Sequence, residues 1–300
     1  MKLRDITQRL LLVVSAAMLG SGALAAEEPK ALRVAITPVV LEENLDLNRH
    51  LVAYIGEKLG VPTSLVQRRS YKEVSDLLEH AQVDVAFTCG LPYVIDHDRF
   101  GLELLAAPVV DDAPVYFAYV IVPQSSPDHE LEHLRGKRFA FSDPLSNSGW
   151  LVPVHALVQM KSTPEAFFKR TIFTYSHTES VEAVAVKLVD GASVDSYVYD
   201  HLAKSRPELV ARTRIIHRSS EYPAPPVVVR PGLPDEDKRR LRTLLLEMEH
   251  DPRGIALLAA MRIRRFVAVD DASFDGIREM RRIVSERYGA GQSRRGTPSP

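Results

Sequence analysis

The feature that most restricts the fold is an alternation of short β-branched runs with amphipathic stretches, present twice along the chain. Residues 32–37 form an apolar run ending at Pro38, which predicts a strand and a turn. Leu47, Leu51, Val52, Ile55 and Leu59 recur at helical spacing over 45–59, until Gly60 and Pro62 stop the helix. Residues 63–67 read as a second strand, 71–80 as a second helix and 83–87 as a third strand. Such alternation builds a mostly parallel α/β sheet, because parallel neighbours need a crossover between them. After a β-rich run at 114–122 and the break Pro123-Gln-Ser-Ser-Pro127, the pattern restarts. Strands are expected at 138–141, 170–174 and 194–198, with helices at 150–160 and 178–189. Strands at 214–217 and 226–230 flank the Pro-rich segment 222–226, and helices at 234–249, 254–261 and 273–288 close the chain.

The expected fold class is therefore α/β and bilobal, two α/β lobes joined by two extended crossings near Val120 and Val227. Lobe 1 takes residues 27–121 and 228–288, lobe 2 takes 122–227, and the last helices return to lobe 1. A ligand is expected in the cleft, where strand ends and helix N-termini converge.

Residues 1–26 carry a secretory signal pattern: Lys2, Arg4 and Arg9, an apolar core from Leu10 to Leu19, and an A-x-A-like site at Ala23-Leu-Ala25, with cleavage near Ala25/Ala26. The expectation is a soluble periplasmic protein. Losing three basic residues and one acid moves the net charge from −1 to about −3, which argues against nucleic acid as a partner. Cys89 stands alone, so no intrachain disulfide forms. The tail 289–300, rich in Gly, Ser, Arg and Pro, reads as disordered.

The turn between the strand at 138–141 and the next helix carries Ser146, Asn147, Ser148 and Gly149. The first turn of a helix leaves amide N–H groups unpaired and attracts negative charge, so this segment reads as an anion cradle or, more plainly, as an ordinary N-cap. A second such turn follows at Ser176-His177-Thr178-Glu179, a capping box that puts His177 at the cleft mouth. From the first lobe, strand ends bring Thr37, the turn Thr88-Cys89-Gly90 and, just after it, Tyr93. Cys89 reads either as a small buried hydrophobe or as a thiolate ligand. Asp195 and Asp200 border the cleft or hold structure.

Four segments resemble one family: Val83–Tyr93, Gly136–Pro153, Tyr175-Ser-His177 and Val189–Ser196. The chain is similar, over roughly residues 31–285, to the phosphate/phosphite/phosphonate substrate-binding proteins of ABC transporters, type II periplasmic binding proteins. The resemblance implies a Venus-flytrap fold closing on a small oxyanion, an ABC permease and ATPase as partners, a monomer, and no cofactor. It also implies that Ser146-Asn147-Ser148 stands for the family's Ser-Thr-Ser loop, and that Tyr93 and His177 face the ligand. The family's late acid, which pairs with an amine on the substrate, has no counterpart in Tyr222-Pro-Ala-Pro-Pro226, where the sole nearby acid is Glu221. A second reading comes from relatives that resemble arsenite sensors feeding a membrane sensor kinase, for which Cys89 would be the ligand.

Two enzyme patterns are present and neither fits its chemistry. His129-Glu-Leu-Glu-His133 matches H-E-x-x-H, but Pro127 and Gly136 leave barely two turns for a motif that needs a long helix. Ser146, His177 and Asp195 name a hydrolase triad without a nucleophile elbow, and the first two are already explained as cap residues. No catalytic or metal site is expected.

Overall fold

The computed structural model describes residues 31–37 and 45–293, with side chains through 287. The expected signal segment 1–26, the expected turn at Pro38 and the tail end 294–300 lie outside the described residues.

The chain begins β1 (Leu32–Ile36), α1 (Leu45–Leu59), β2 (Thr63–Gln67), α2 (Tyr71–Glu79), β3 (Val85–Phe87), α3 (Gly90–Phe100) and β4 (Glu103–Val109). It crosses through β5 (Val115–Tyr116) into β6 (Ala118–Pro123), β7 (Arg138–Phe141), α4 (Val152–Gln159), α5 (Pro164–Phe167), β8 (Arg170–Phe173), α6 (His177–Ala185) and β9 (Gly191–Asp195). Then come α7 (Ser196–Ser205), α8 (Pro207–Val210) and β10 (Thr213–Arg218), and the chain returns through β11 (Tyr222–Pro223) to β12 (Val227–Val229). It ends with α9 (Asp235–Leu246), α10 (Pro252–Met261), β13 (Arg265–Val267) and α11 (Asp275–Ser293).

Two sheets result, ordered β13-β4-β12-β3-β1-β2 and β10-β6-β9-β7-β8. β1 lies parallel to β2 and β3, and β7 parallel to β8 and β9, as the two alternating stretches require. The returning strand β12 inserts antiparallel between β3 and β4, and its three valines are buried, as a strand covered on both faces demands. β6 belongs wholly to the second sheet, so the divide drawn at residue 121 runs through a strand.

The two crossings are not independent. β5 and β11 pair antiparallel, Tyr222 opposite Tyr116 and Pro223 opposite Val115, and the Ala224 N–H donates to the Pro114 carbonyl at 2.8 Å. The links between sheets thus form one short ribbon.

Where β12 re-enters the first sheet, Asp84 pins it. The buried Asp84 carboxylate accepts from the Arg33 N–H, from Arg33 Nε and Nη2, and from Arg230 Nε, all at 2.8–2.9 Å. Burial alone would raise its pKa. The donors from Arg33 and Arg230 outweigh that and hold it below the usual carboxylate range.

Helices α9 and α10 pack on the first lobe, while α11 lies against both α3 and α4 and so touches both lobes. One apolar cluster runs through this junction, with Leu91, Tyr93, Phe274 and Ile277 joined to Phe141, Leu151 and Val154. The lobes are closed on each other. Residues 289–293, expected in a disordered tail, continue α11, because an established hydrogen-bonded ladder propagates readily beyond its last packed turn. The H-E-x-x-H segment holds a single 3₁₀ turn, Leu131–Leu134, and the His129 N–H donates to His133 Nδ1. This is not the helix a zinc pair requires.

Candidate functional site

The loop after β7 turns into α4 through a π-helical turn, Asn147–Leu151, in which the Leu151 N–H reaches back to the Ser146 carbonyl at 3.0 Å. Ser146 is the N-cap: its Oγ accepts from the Gly149 N–H at 2.9 Å. The Asn147 N–H is directed at Cys89 Sγ at 3.4 Å, across the lobes. The plainer of the two sequence readings therefore holds for Ser146. Of the amides expected in the cradle, those of Asn147 and Gly149 already have partners. Several side-chain atoms of the loop and its surroundings do not.

Among the buried side-chain atoms without a hydrogen-bond partner are Tyr71 Oη, Asn147 Oδ1, Ser148 Oγ and Asp195 Oδ2. Native interiors pair nearly all such atoms, so each unpaired one needs a reason. They share one neighbourhood. Tyr71 is fully buried, and besides that burial the nearby Cys89, Asp143, Asp195 and Tyr116 all push its hydroxyl pKa well upward. Tyr116 accepts from Asn147 Nδ2 at 2.9 Å and its hydroxyl lies 3.9 Å from Cys89 Sγ. The Tyr71 N–H, opening α2, donates to Asp143 of the second lobe at 3.3 Å.

His177 opens α6 beside Ser146 and is buried. Its Nδ1 accepts from the Asp195 N–H at 3.0 Å, and a backbone N–H can only donate. The proton of the neutral ring therefore sits on Nε2, 3.4 Å from Ser146 Oγ. Burial lowers its pKa to about 3, so the ring stays a neutral donor. Asp195 closes β9 and caps α7, with Oδ1 accepting from the Tyr197 N–H at 2.8 Å. Ser193, one turn of strand earlier, donates to the Ser148 carbonyl at 2.7 Å and braces the loop.

The other expected residues are placed differently. Tyr93 donates its hydroxyl to Asp271 at 2.5 Å and packs edge-on against Phe274, inside the junction with α11 and away from the cluster. It sits a full turn into α3, which rotates it off the strand end. Gly90 faces α11 as well, since a Cβ there would come within 2.7 Å of Ile277. Thr88 is buried and its N–H donates to the Pro226 carbonyl. Thr37 gives its hydroxyl to the Phe87 carbonyl at 2.8 Å. It lines a separate cavity of about 340 Å³ with Arg68, Arg69, Tyr175, Ser176 and Glu179.

Cys89 is wholly buried, and burial pushes its thiol up to about 11. A neutral thiol accepting an amide N–H is the opposite of the thiolate that a soft metalloid needs. Iodoacetamide at pH 8 is expected to label Cys89 at least about tenfold more slowly than in urea-unfolded protein. Equal rates would show that the thiol is open to solvent.

Tyr71 and Tyr116 were not singled out from the sequence. For Tyr71 a signal existed: Ser70 and Glu73 form a capping box at a third strand–turn–helix junction, the same signature that flags Ser176 and Glu179. For Tyr116 none did, because its direction depends on how the crossings pair.

The whole architecture from β1 to the turn before α11 matches one family model. Residues 34–274 fit the ABC transporter, phosphonate, periplasmic substrate-binding protein family. The chain belongs to that family. It is a periplasmic substrate-binding component of a transporter, a family that works with membrane partners by binding rather than by catalysis. Among relatives, it is 29% identical over 266 residues to the phosphonates-binding periplasmic protein of Escherichia coli, covering 87% of this chain and 78% of that one. A solved binding-protein component of a Pseudomonas aeruginosa ABC phosphonate transporter superposes with a TM-score of 0.81 at 25% identity, over 87% and 89% of the chains. The Prochlorococcus marinus protein solved with methylphosphonate superposes at 0.78 and 19% identity, over 86% and 99%. Among the described residues no helix is long and apolar enough to cross a membrane.

Proposed function

We propose that this binding protein captures a small phosphorus oxyanion, of phosphate, phosphite or short-chain phosphonate type, between its closed lobes and delivers it to an ABC permease. One observation carries the reading. Unpaired buried polar atoms from both lobes, Tyr71 from the first and Asn147, Ser148 and Asp195 from the second, lie in one neighbourhood. An anion seated there would meet the hydroxyls of Tyr71 and Ser148 and, within the same cluster, the Nε2–H of His177. A half-turn of the Asn147 amide would let Tyr116 donate to Oδ1 and present the NH₂ group to the anion. Neutral donors suit an anion that must later be released, since they avoid a buried ion pair.

Closure follows from the same contacts. The bonds from the Tyr71 N–H to Asp143 and from the Asn147 N–H to Cys89 join the lobes and would break on opening, while Asn147 Nδ2 ties the second lobe to Tyr116 of the ribbon. A ligand that touches both lobes favours the closed state by its differential contacts.

The substituent end of the site is aromatic. Tyr116 has Tyr197 at 5.9 Å and Tyr222 at 6.4 Å between ring centres, and the segment beyond is Pro223-Ala-Pro-Pro226. Methylphosphonate, which the Prochlorococcus protein holds, is small and uncharged at that end. A thermal-shift panel tests the reading. Phosphate, phosphite or methylphosphonate at a hundred times its Kd is expected to stabilise by about 2.7 kcal/mol, a rise of several degrees in Tm. Aminoethylphosphonate is expected to shift Tm less, because the segment Tyr222-Pro-Ala-Pro-Pro226 beside the aromatic end carries no acid to meet its amine. Ser148→Ala should weaken the best ligand about tenfold, the worth of one hydrogen bond to a charged group. No shift with any of the three anions would overturn the assignment.

A further inference from the structure

The cavity that Thr37 lines has no part in holding the phosphorus oxyanion. It encloses about 340 Å³ with residues of both lobes on its walls, at the small end of the range for ligand pockets. Those walls are chain neighbours of the anion cluster. Ser176 immediately precedes His177, and Arg69 stands two residues before Tyr71, so backbone spacing keeps each pair of Cα atoms within about 8 Å.

Two observations mark this cavity as more than a gap. The first is charge. Arg68 and Arg69 of the first lobe face Glu179 of the second, leaving one positive charge in excess. Arginines elsewhere in the chain meet carboxylates, as Arg33, Arg138 and Arg230 do. Arg68 Nη1 donates to the Gln67 carbonyl at 2.7 Å, and among the described residues neither the Arg68 nor the Arg69 guanidinium has an acidic partner. The second observation is strain. Tyr175 sits at φ 58°, a left-handed backbone that is unfavourable for a bulky side chain and free for glycine. The residue is 46% exposed, so burial does little to offset that strain. Its ring stands at the cavity wall, 6.2 Å from the Phe173 ring between centres.

We propose that this cavity is a subsite for a second acidic group, a carboxylate or phosphate held by Arg68 and Arg69 beside the Tyr175 ring. The inference rests on the oxyanion reading above and extends its ligand class to phosphonates with a short acid-bearing chain. A guanidinium fork matches either acid with two parallel N–H donors, and the tyrosine ring offers an apolar wall to the methylenes. A tetrahedral head can turn its substituent either way, a methyl toward Tyr116 and an acid-bearing chain toward the arginines. The same chemistry accepts a free anion beside a short phosphonate. An occupant of either kind touches both lobes and adds to closure.

Calorimetry at low salt with 3-phosphonopropionate, propylphosphonate and methylphosphonate tests this. The first two carry a carboxylate and a methyl, respectively, at the end of the same chain. In the native protein the carboxylate is expected to improve affinity about tenfold over the methyl, the worth of a hydrogen bond to a charged group. High salt should cut that advantage to less than about threefold, because exposed arginines are screened. Replacing both arginines, Arg68→Gln with Arg69→Gln, should abolish it while methylphosphonate affinity stays within about threefold. Titrating methylphosphonate with and without excess propionate reads the other source of the acid. Tightening by propionate in the native protein, absent from the arginine variant, would assign the subsite to a separate anion. No advantage for the carboxylate chain together with no effect of propionate would overturn the subsite. So would an advantage that survives in the arginine variant or, should that variant not fold, one that high salt leaves unchanged in the native protein. No binding by methylphosphonate or either longer phosphonate would overturn the oxyanion reading beneath it.

Discussion

Replacing Asp84 with alanine is expected to destabilise the protein by about 3 to 5 kcal/mol, the range for removing one partner from a buried ion pair. The Asp84 side chain is 6% exposed, while Arg33 and Arg230 retain 23% and 15%. Deleting the acid leaves two partly buried guanidinium groups without their partner and removes four hydrogen bonds at the point where β12 re-enters the first sheet. Because the folded pKa is depressed, the stabilisation is fully present above the unfolded carboxylate value of about 4. It is lost as pH falls through the lower folded value. Urea midpoints for the native chain and Asp84→Asn should therefore lie far apart at pH 7 and converge toward pH 3. A gap under about 1 kcal/mol at pH 7 would mean that the strand is held by packing alone.

Gly149→Ala is expected to weaken oxyanion binding by about a hundredfold, with a smaller stability loss of about 1 to 3 kcal/mol. A Cβ at this position would overlap Ser142 Oγ and approach Ser142 Cβ at 2.7 Å and Ser146 Oγ at 2.9 Å. Ser142 lies 2.9 Å from His177 Nδ1, and Ser146 lies at the other ring nitrogen. Relieving the overlap must shift the loop bearing Asn147 and Ser148, or the imidazole, and either moves donors away from the anion. Calorimetry with the best-binding phosphorus oxyanion, paired with a melting curve, separates the two effects. Native-like affinity in a folded variant would show that the loop position does not matter to the ligand.

Much of this architecture was legible because it depends on local pattern. The helix at 45–59, the strands at 63–67 and 138–141, and the cap Ser176 can each be read from spacing and cap chemistry within a few residues. The helix α3 was hidden because Gly90 and Pro92 read as a turn, whereas Pro at the start of a helix costs little and Gly90 answers to α11. The strand β4 was missed beside it, and α7 was concealed by the β-branched residues that read as strand through Val198. At the site, Ser148, Asn147 and His177 were found because each sits at a strand–turn–helix junction, whereas Asp195 was read as an acid bordering the cleft within a strand running to Val198. Tyr93 was mistaken for a facing residue since sequence distance from a strand end does not give rotation around a helix. Tyr116 was invisible for a deeper reason: its place is set by the pairing of two segments about a hundred residues apart, which only tertiary structure supplies.

That pairing has a mechanical consequence. Two separate tethers would let one lobe swivel, twist and slide against the other, whereas a two-stranded ribbon resists all but bending across its own plane. Pro223 within it and Pro114, Pro225 and Pro226 beside it stiffen the backbone further. Tyr116 belongs to that ribbon and also hydrogen-bonds Asn147 at the anion cluster. An anion seated at that cluster would thus be read out as the position of a single axis. A membrane partner that grips both lobes can sense whether the cargo is aboard without ever touching it.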